Sequence, residues 1–87
     1  MAHSNSANKR IRQNIKRRAI NRWRLRLMRS AIKDFETKVA AGADASDEFR
    51  TAQAAIDRTA QKGVIHKNQA SRRIKRLNAR LKAAKAG

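Results

Sequence analysis

The sequence predicts an all-α protein, an antiparallel three-helix bundle whose long, basic first helix projects beyond the other two. Three observations carry this. The 87 residues include no proline and only three glycines, so little interrupts a helix. Strand formers are sparse and do not alternate cleanly with polar residues. Apolar residues instead recur at steps of three and four in three separate stretches. The length allows one small domain over residues 1–87. Its core must be thin, because 17 of the hydrophobic residues are alanine.

The first helix is expected over about 6–41. Leu25, Met28, Ile32, Phe35 and Val39 form its apolar stripe, and Gly42 stands where a helix-ending glycine belongs. Upstream the stripe fades. Ile11, Ile15 and Ala19 step by four, but the next places on that line are Arg22 and Trp23. From Lys9 to Arg24 about every second residue is Lys or Arg. The C-terminal half therefore packs on something apolar, while the N-terminal half carries charge around most of its circumference. Like charges such as Arg18–Arg22 and Arg22–Arg26 repel by a few tenths of a kcal/mol each. This arm is expected to be poorly ordered when the protein is alone.

The second helix is expected over about 45–62, opening at Asp44 or Ser46. Asp47 and Glu48 then lie in its first turn, at the positive end of the helix dipole. Its stripe is Phe49, Ala52, Ile56 and Ala60, a narrow face suited to close helix approach. Gly63 stops it, with Val64 as the apolar partner of a Schellman-type end. The third helix is expected over about 68–84, with Asn68 as its cap and Ala70, Ile74, Leu77, Leu81 and Ala84 as its stripe. Met1 to Asn5 and Lys85 to Gly87 are expected to be loose tails.

Charge is segregated along the chain. The net charge is +17. Residues 1–33 hold +11 and residues 62–87 hold +9, with no acid in either block; residues 34–61 hold all six acids and sum to −3. Blocks of one sign point to a polyanion partner. Residues 1–33 alone have the composition of a targeting peptide. The same bias on a well-striped third helix argues for nucleic acid instead. Fourteen of the basic residues are arginine, whose planar fork suits phosphate oxygens.

Other classes find little support. Without cysteine there is no disulfide, thiolate metal site or cysteine nucleophile. His3 and His66 lie far apart in sequence and neither has a metal-binding partner in view. No apolar run approaches a membrane span, and the basic N-terminus lacks the apolar stretch of a secretory signal. The six acids read as helix caps and solvated faces, so no enzyme, catalytic residue or cofactor is expected.

Between nucleic acids, the long first helix fits poorly in one major groove and better among the crevices of folded RNA. An architectural DNA-binding protein is the alternative. Trp23, among Arg22, Arg24 and Arg26, is expected at the edge of the bundle, with stacking on an exposed base as the other reading. His66, Lys67 and Asn68 gather polar groups on a tight loop beside a helix N-terminus, where backbone N–H groups favour phosphate. The bland reading of His66 is a loop histidine that caps backbone.

The run from Asp57 to Ala70, above all Lys62-Gly63-Val64-Ile65-His66-Lys67-Asn68, resembles the signature of the bacterial small-subunit ribosomal protein S-twenty family. Ser6-Ala7, Lys9-Arg10 and the downstream Lys16, Arg18, Asn21, Arg24, Met28 and Arg29 are similar to the same family, and the likeness covers essentially the whole chain. The resemblance implies a three-helix bundle without catalysis or cofactor. It would bind small-subunit rRNA directly, early in assembly, as a cytoplasmic monomer within the ribosome among other small-subunit components. It implies that the first helix contacts the 5′ domain and the long penultimate rRNA helix. Ser6, Lys9, Arg10, Lys16, Arg18, Asn21, Arg24 and Arg29 would then meet RNA, with Lys62, His66, Lys67 and Asn68 at a second contact. Charge and periodicity add Arg12, Arg17, Arg22 and Arg26 on the arm. They also add Arg72, Arg73, Lys75 and Arg76, which lie off the third helix's apolar stripe.

Overall fold

In the computed structural model, which describes residues 2–86, the chain forms α1 (Ala2–Ala40), α2 (Ser46–Gln61) and α3 (Lys67–Ala86). All three expected helices are present, and α1 starts earlier than expected. Helix also runs through 2–5 and 85–86, where loose tails were expected. No proline or glycine interrupts those segments, so nothing in them breaks the helix. Met1 and Gly87 lie outside the described residues.

The arm is a continuation of the same helix. Residues 6–20 are all exposed, so the helix is there but has nothing to pack on. The molecule measures 67 × 22 × 14 Å with a radius of gyration of 17.7 Å. A compact chain of this length would give about 12 Å. The difference is the arm, about five turns of helix beyond the bundle.

The core follows the predicted stripes. Met28 and Phe35 from α1, Ala52 and Ile56 from α2, and Ala70, Leu77 and Leu81 from α3 are buried, with Ala45 and Ile65 added from the two loops. Leu25, Ile32, Val39, Phe49, Ala60 and Ile74 pack around them, half-buried. The Phe35 and Phe49 rings meet with centroids 6.0 Å apart and planes tilted by 60°, a favourable aromatic geometry. Ala84 departs from its stripe and is exposed, one turn beyond the last buried residue, Leu81. Thr59 is buried within the α2 stripe, one turn after Ile56. Its hydroxyl donates to the Ala55 carbonyl at 2.6 Å, so the buried oxygen is not left unpaired. Helix α2 lies between the others and makes most of the interhelical contacts; α1 and α3 touch much less.

Both turns close in the same way. Gly42 donates to the Val39 carbonyl at 3.0 Å and Ala43 to the Lys38 carbonyl at 3.3 Å. Gly63 donates to the Ala60 carbonyl at 2.9 Å and Val64 to the Thr59 carbonyl at 3.1 Å. These are paired Schellman bonds, and both glycines sit at φ 75°, where a Cβ would be strained. At the start of α2 the Asp44 carboxylate accepts from the Ser46 hydroxyl at 2.6 Å and from its backbone N–H at 3.1 Å. These two bonds hold the Asp44 carboxyl below its usual pKa.

Candidate nucleic-acid interface

Helices α1 and α2 run antiparallel, so the C-terminal end of α2 lies beside the root of the arm. There Trp23, Arg24, Leu27 and Met28 of α1 and Ala55, Arg58, Thr59 and Lys62 of α2 line one shallow recess. The recess brings Arg24, on the arm's candidate face, together with Lys62, on the loop's. The loop Lys62–His66 continues from this point into α3. The two basic regions of the sequence thus meet at one end of the bundle. Arg58 belongs with them, although charge blocks place it in the acidic third. The signal was present: it stands one helical turn before Lys62 and shares its face.

The loop is fixed by burial. Ile65 is anchored in the core, which sets where α3 can begin. His66 is the cap: its carbonyl accepts from the Ala70 N–H at 3.0 Å, and its Nδ1 accepts from the Asn68 N–H at 3.1 Å. Asn68 was expected to cap and instead lies inside the first turn. With Nδ1 accepting, the ring proton is on Nε2, a donor at an exposed residue. Lys67 and Asn68 are exposed beside the α3 N-terminus, whose first N–H groups lack intrahelical acceptors. This is a phosphate-compatible corner: a helix dipole, an ammonium group, an imidazole donor and a side-chain amide.

Along the arm, Ser6, Lys9, Arg10, Arg12, Lys16, Arg17 and Arg18 are exposed on a helix with no acidic neighbour before Asp34. Arg22, Arg26 and Arg29 are also exposed, whereas Asn21 and Arg24 are half-buried where the bundle begins. Trp23 sits at the bundle edge as expected, yet 55% exposed.

The α3 cations spread across the face of the helix opposite its apolar stripe. Arg73 and Arg76 line a recess with Ile32, Glu36 and Arg80 against α1. Arg72 stands between Arg76 and Lys75 by its spacing. Lys75 lies at the α2 edge of that face, in a recess with Phe49 and Gln53. Arg80 donates to Glu36 at 2.8 Å, tying α3 to α1. Most acids gather at the opposite end from the arm. Asp34, Asp47 and Glu48 share a recess there, and Glu48 pairs with Lys38 at 3.6 Å. Among the described residues no three His, Cys, Asp or Glu side chains are grouped to hold a metal, and no helix is long and apolar enough to cross a membrane.

A small helical domain with a cationic arm continuous with a cationic loop defines the general class, a basic protein built around an extended helix. The comparisons narrow it. A family model described as Ribosomal protein S20 matches residues 2–82. A Small ribosomal subunit protein bS20 from Gluconobacter oxydans is 48% identical over 85 residues, covering 95% of this chain and 96% of the relative. Proteins with the same description from Shewanella woodyi and Paramagnetospirillum magneticum are 47% and 42% identical over 88 residues. Each alignment covers 99% of this chain, with 100% and 98% of the respective relatives. The chain belongs to the ribosomal protein S20 family.

Proposed function

We propose that this protein is a structural component of the small ribosomal subunit that binds small-subunit rRNA directly and stabilises its folded form during assembly. The observation that carries this is the convergence of the basic arm and the Lys62–Asn68 loop at the root of α1, in a chain of this family. An extended cationic helix neutralises phosphates from more than one strand and lets RNA segments approach that would otherwise repel. The loop supplies directed hydrogen bonds where the arm supplies charge. The 5′ domain and the long penultimate helix are the proposed RNA contacts, with Lys9, Arg10, Lys16, Arg18 and Arg24 on the arm and His66, Lys67 and Asn68 at the loop.

The test is titration of purified small-subunit rRNA 5′ domain against equal masses of duplex DNA and an unrelated structured RNA, over a salt series. Selective binding to the rRNA that survives raised salt supports the proposal. Equal binding to all three, lost together as salt rises, overturns it and favours a generic polyanion binder. Arg12→Gln removes one phosphate contact and should lower the slope of log affinity against log salt by about one. Lys67→Ala should weaken binding at high salt as well as low.

A further inference from the structure

The arm carries an apolar line that its charge obscures. Ile11, Ile15, Ala19, Trp23 and Leu27 follow one another at steps of four, and every one is exposed. Ile11 is 56% exposed, Ile15 61% and Leu27 48%. The same spacing continues through Ala31 to Phe35, which is fully buried. One ridge therefore runs from the middle of the arm into the core. Its exposed part spans about 24 Å. Single exposed apolar residues are ordinary, but an ordered row of them marks a contact surface.

Its flanks identify the occupant. On a helix, the neighbours of residue i lie at i+3 and i−1 on one side and at i+1 and i−3 on the other. One side of the ridge is therefore Arg10, Asn14, Arg18, Arg22 and Arg26, and the other is Arg12, Lys16 and Arg24, with the exposed Ile20 among them widening the apolar line. A second copy of this chain would bring a like-charged arm against it, and the chain's net charge is +17. The ridge also drifts by about 40° at each step, so it winds through nearly half a turn of the helix surface. A single straight partner helix follows only part of such a path. RNA crevices meet both conditions. They offer phosphates to both cationic rows, and ribose and base faces to the line between them.

We propose that the ridge Ile11–Ile15–Ala19–Trp23–Leu27 is an apolar RNA-contact surface, seated against ribose and base faces between two rows of phosphate-binding cations. This rests on the rRNA reading above and adds to it a contribution to affinity that salt does not screen. Trp23 is the chain's only tryptophan, so its emission reports directly on whether the ridge is covered.

The experiment compares the full chain with its Ile11→Gln/Ile15→Gln variant in titrations of the small-subunit rRNA 5′ domain over a salt series. Glutamine keeps the charge and forms helix at least as well as isoleucine. The variant should bind roughly tenfold more weakly at every salt concentration, the scale expected from losing apolar cover over two isoleucines, with the salt slope unchanged. An Ile11→Leu/Ile15→Leu variant should bind like the parent, and Trp23 should lose its accessibility to the neutral quencher acrylamide in the complex. Equal affinity of the glutamine variant and the parent overturns the proposal, as does a Trp23 that stays fully quenchable when bound. A glutamine variant that binds rRNA normally but fails to enter assembled subunits also overturns it, and assigns the ridge to a protein neighbour. If the parent itself does not prefer the rRNA, the reading beneath this one fails, and the ridge proposal falls with it.

Discussion

The two halves of α1 are one helix built for opposite purposes. From Asn21 to Ala40 its apolar stripe is covered by α2 and α3, and Phe35 is fully buried. From Ser6 to Ile20 every residue is exposed. The backbone is the same in both; what differs is the partner. In the C-terminal half, stability comes from apolar burial within the chain. In the N-terminal half no tertiary contact stabilises the helix, and the cations repel one another. A helix can therefore be continuous in geometry while its stability changes sharply part-way along.

The largest test of this contrast is truncation in each half. Phe35→Ala should cost about 3–5 kcal/mol and lower the denaturant midpoint severely in so small a domain. Ile15→Ala, on the arm, should change the midpoint by no more than about 0.5 kcal/mol. Equal losses would mean that the arm packs on the bundle in solution.

Amide exchange sharpens the comparison residue by residue. Amides of residues 9–20 should exchange by local opening in the free protein, far faster than those of 28–35, and gain protection when rRNA is added. Strong protection across the arm without RNA would show that it is rigid by itself.

The turns should matter less. Gly63→Ala places a Cβ at φ 75° with no clash around it, so only the backbone strain counts, about 1–2 kcal/mol. A loss of unfolding free energy of that size is the expected result, and unchanged stability would show that the turn relaxes without cost.

The smallest effect is at Asp44. Its carboxyl is held below the usual carboxylate range by the Ser46 hydroxyl and N–H. Its contribution is present at neutral pH and is lost as pH falls through that lowered value. Asp44→Asn should slightly reduce stability at neutral pH and flatten the acid limb of stability against pH. An unchanged acid limb would show that the Ser46 bonds add nothing.

The packed half was legible in the sequence because burial imposes a period. Met28, Phe35, Ile56, Leu77 and Leu81 announce themselves by spacing alone. Caps and junctions were less legible because they depend on where other parts of the chain are pinned. His66 rather than Asn68 caps α3 because Ile65, immediately before it, is held in the core. Arg58 joins Lys62 and Arg24 because α2 runs back along α1, a fact of tertiary structure that a charge count along the chain hides. The loop corner was visible twice over, as a motif and as a turn signal.

The separation of charge along a 67 Å body has a consequence for encounter. At physiological ionic strength the screening length is about 8 Å, far shorter than the molecule. A nearby polyanion therefore does not feel the net charge of the whole chain. It feels whichever end is nearest, drawn in at the arm and offered little attraction at the acidic turn around Asp44, Asp47 and Glu48. The molecule behaves like a compass needle with one strong pole, so that productive collisions begin at the arm and the bundle follows it in.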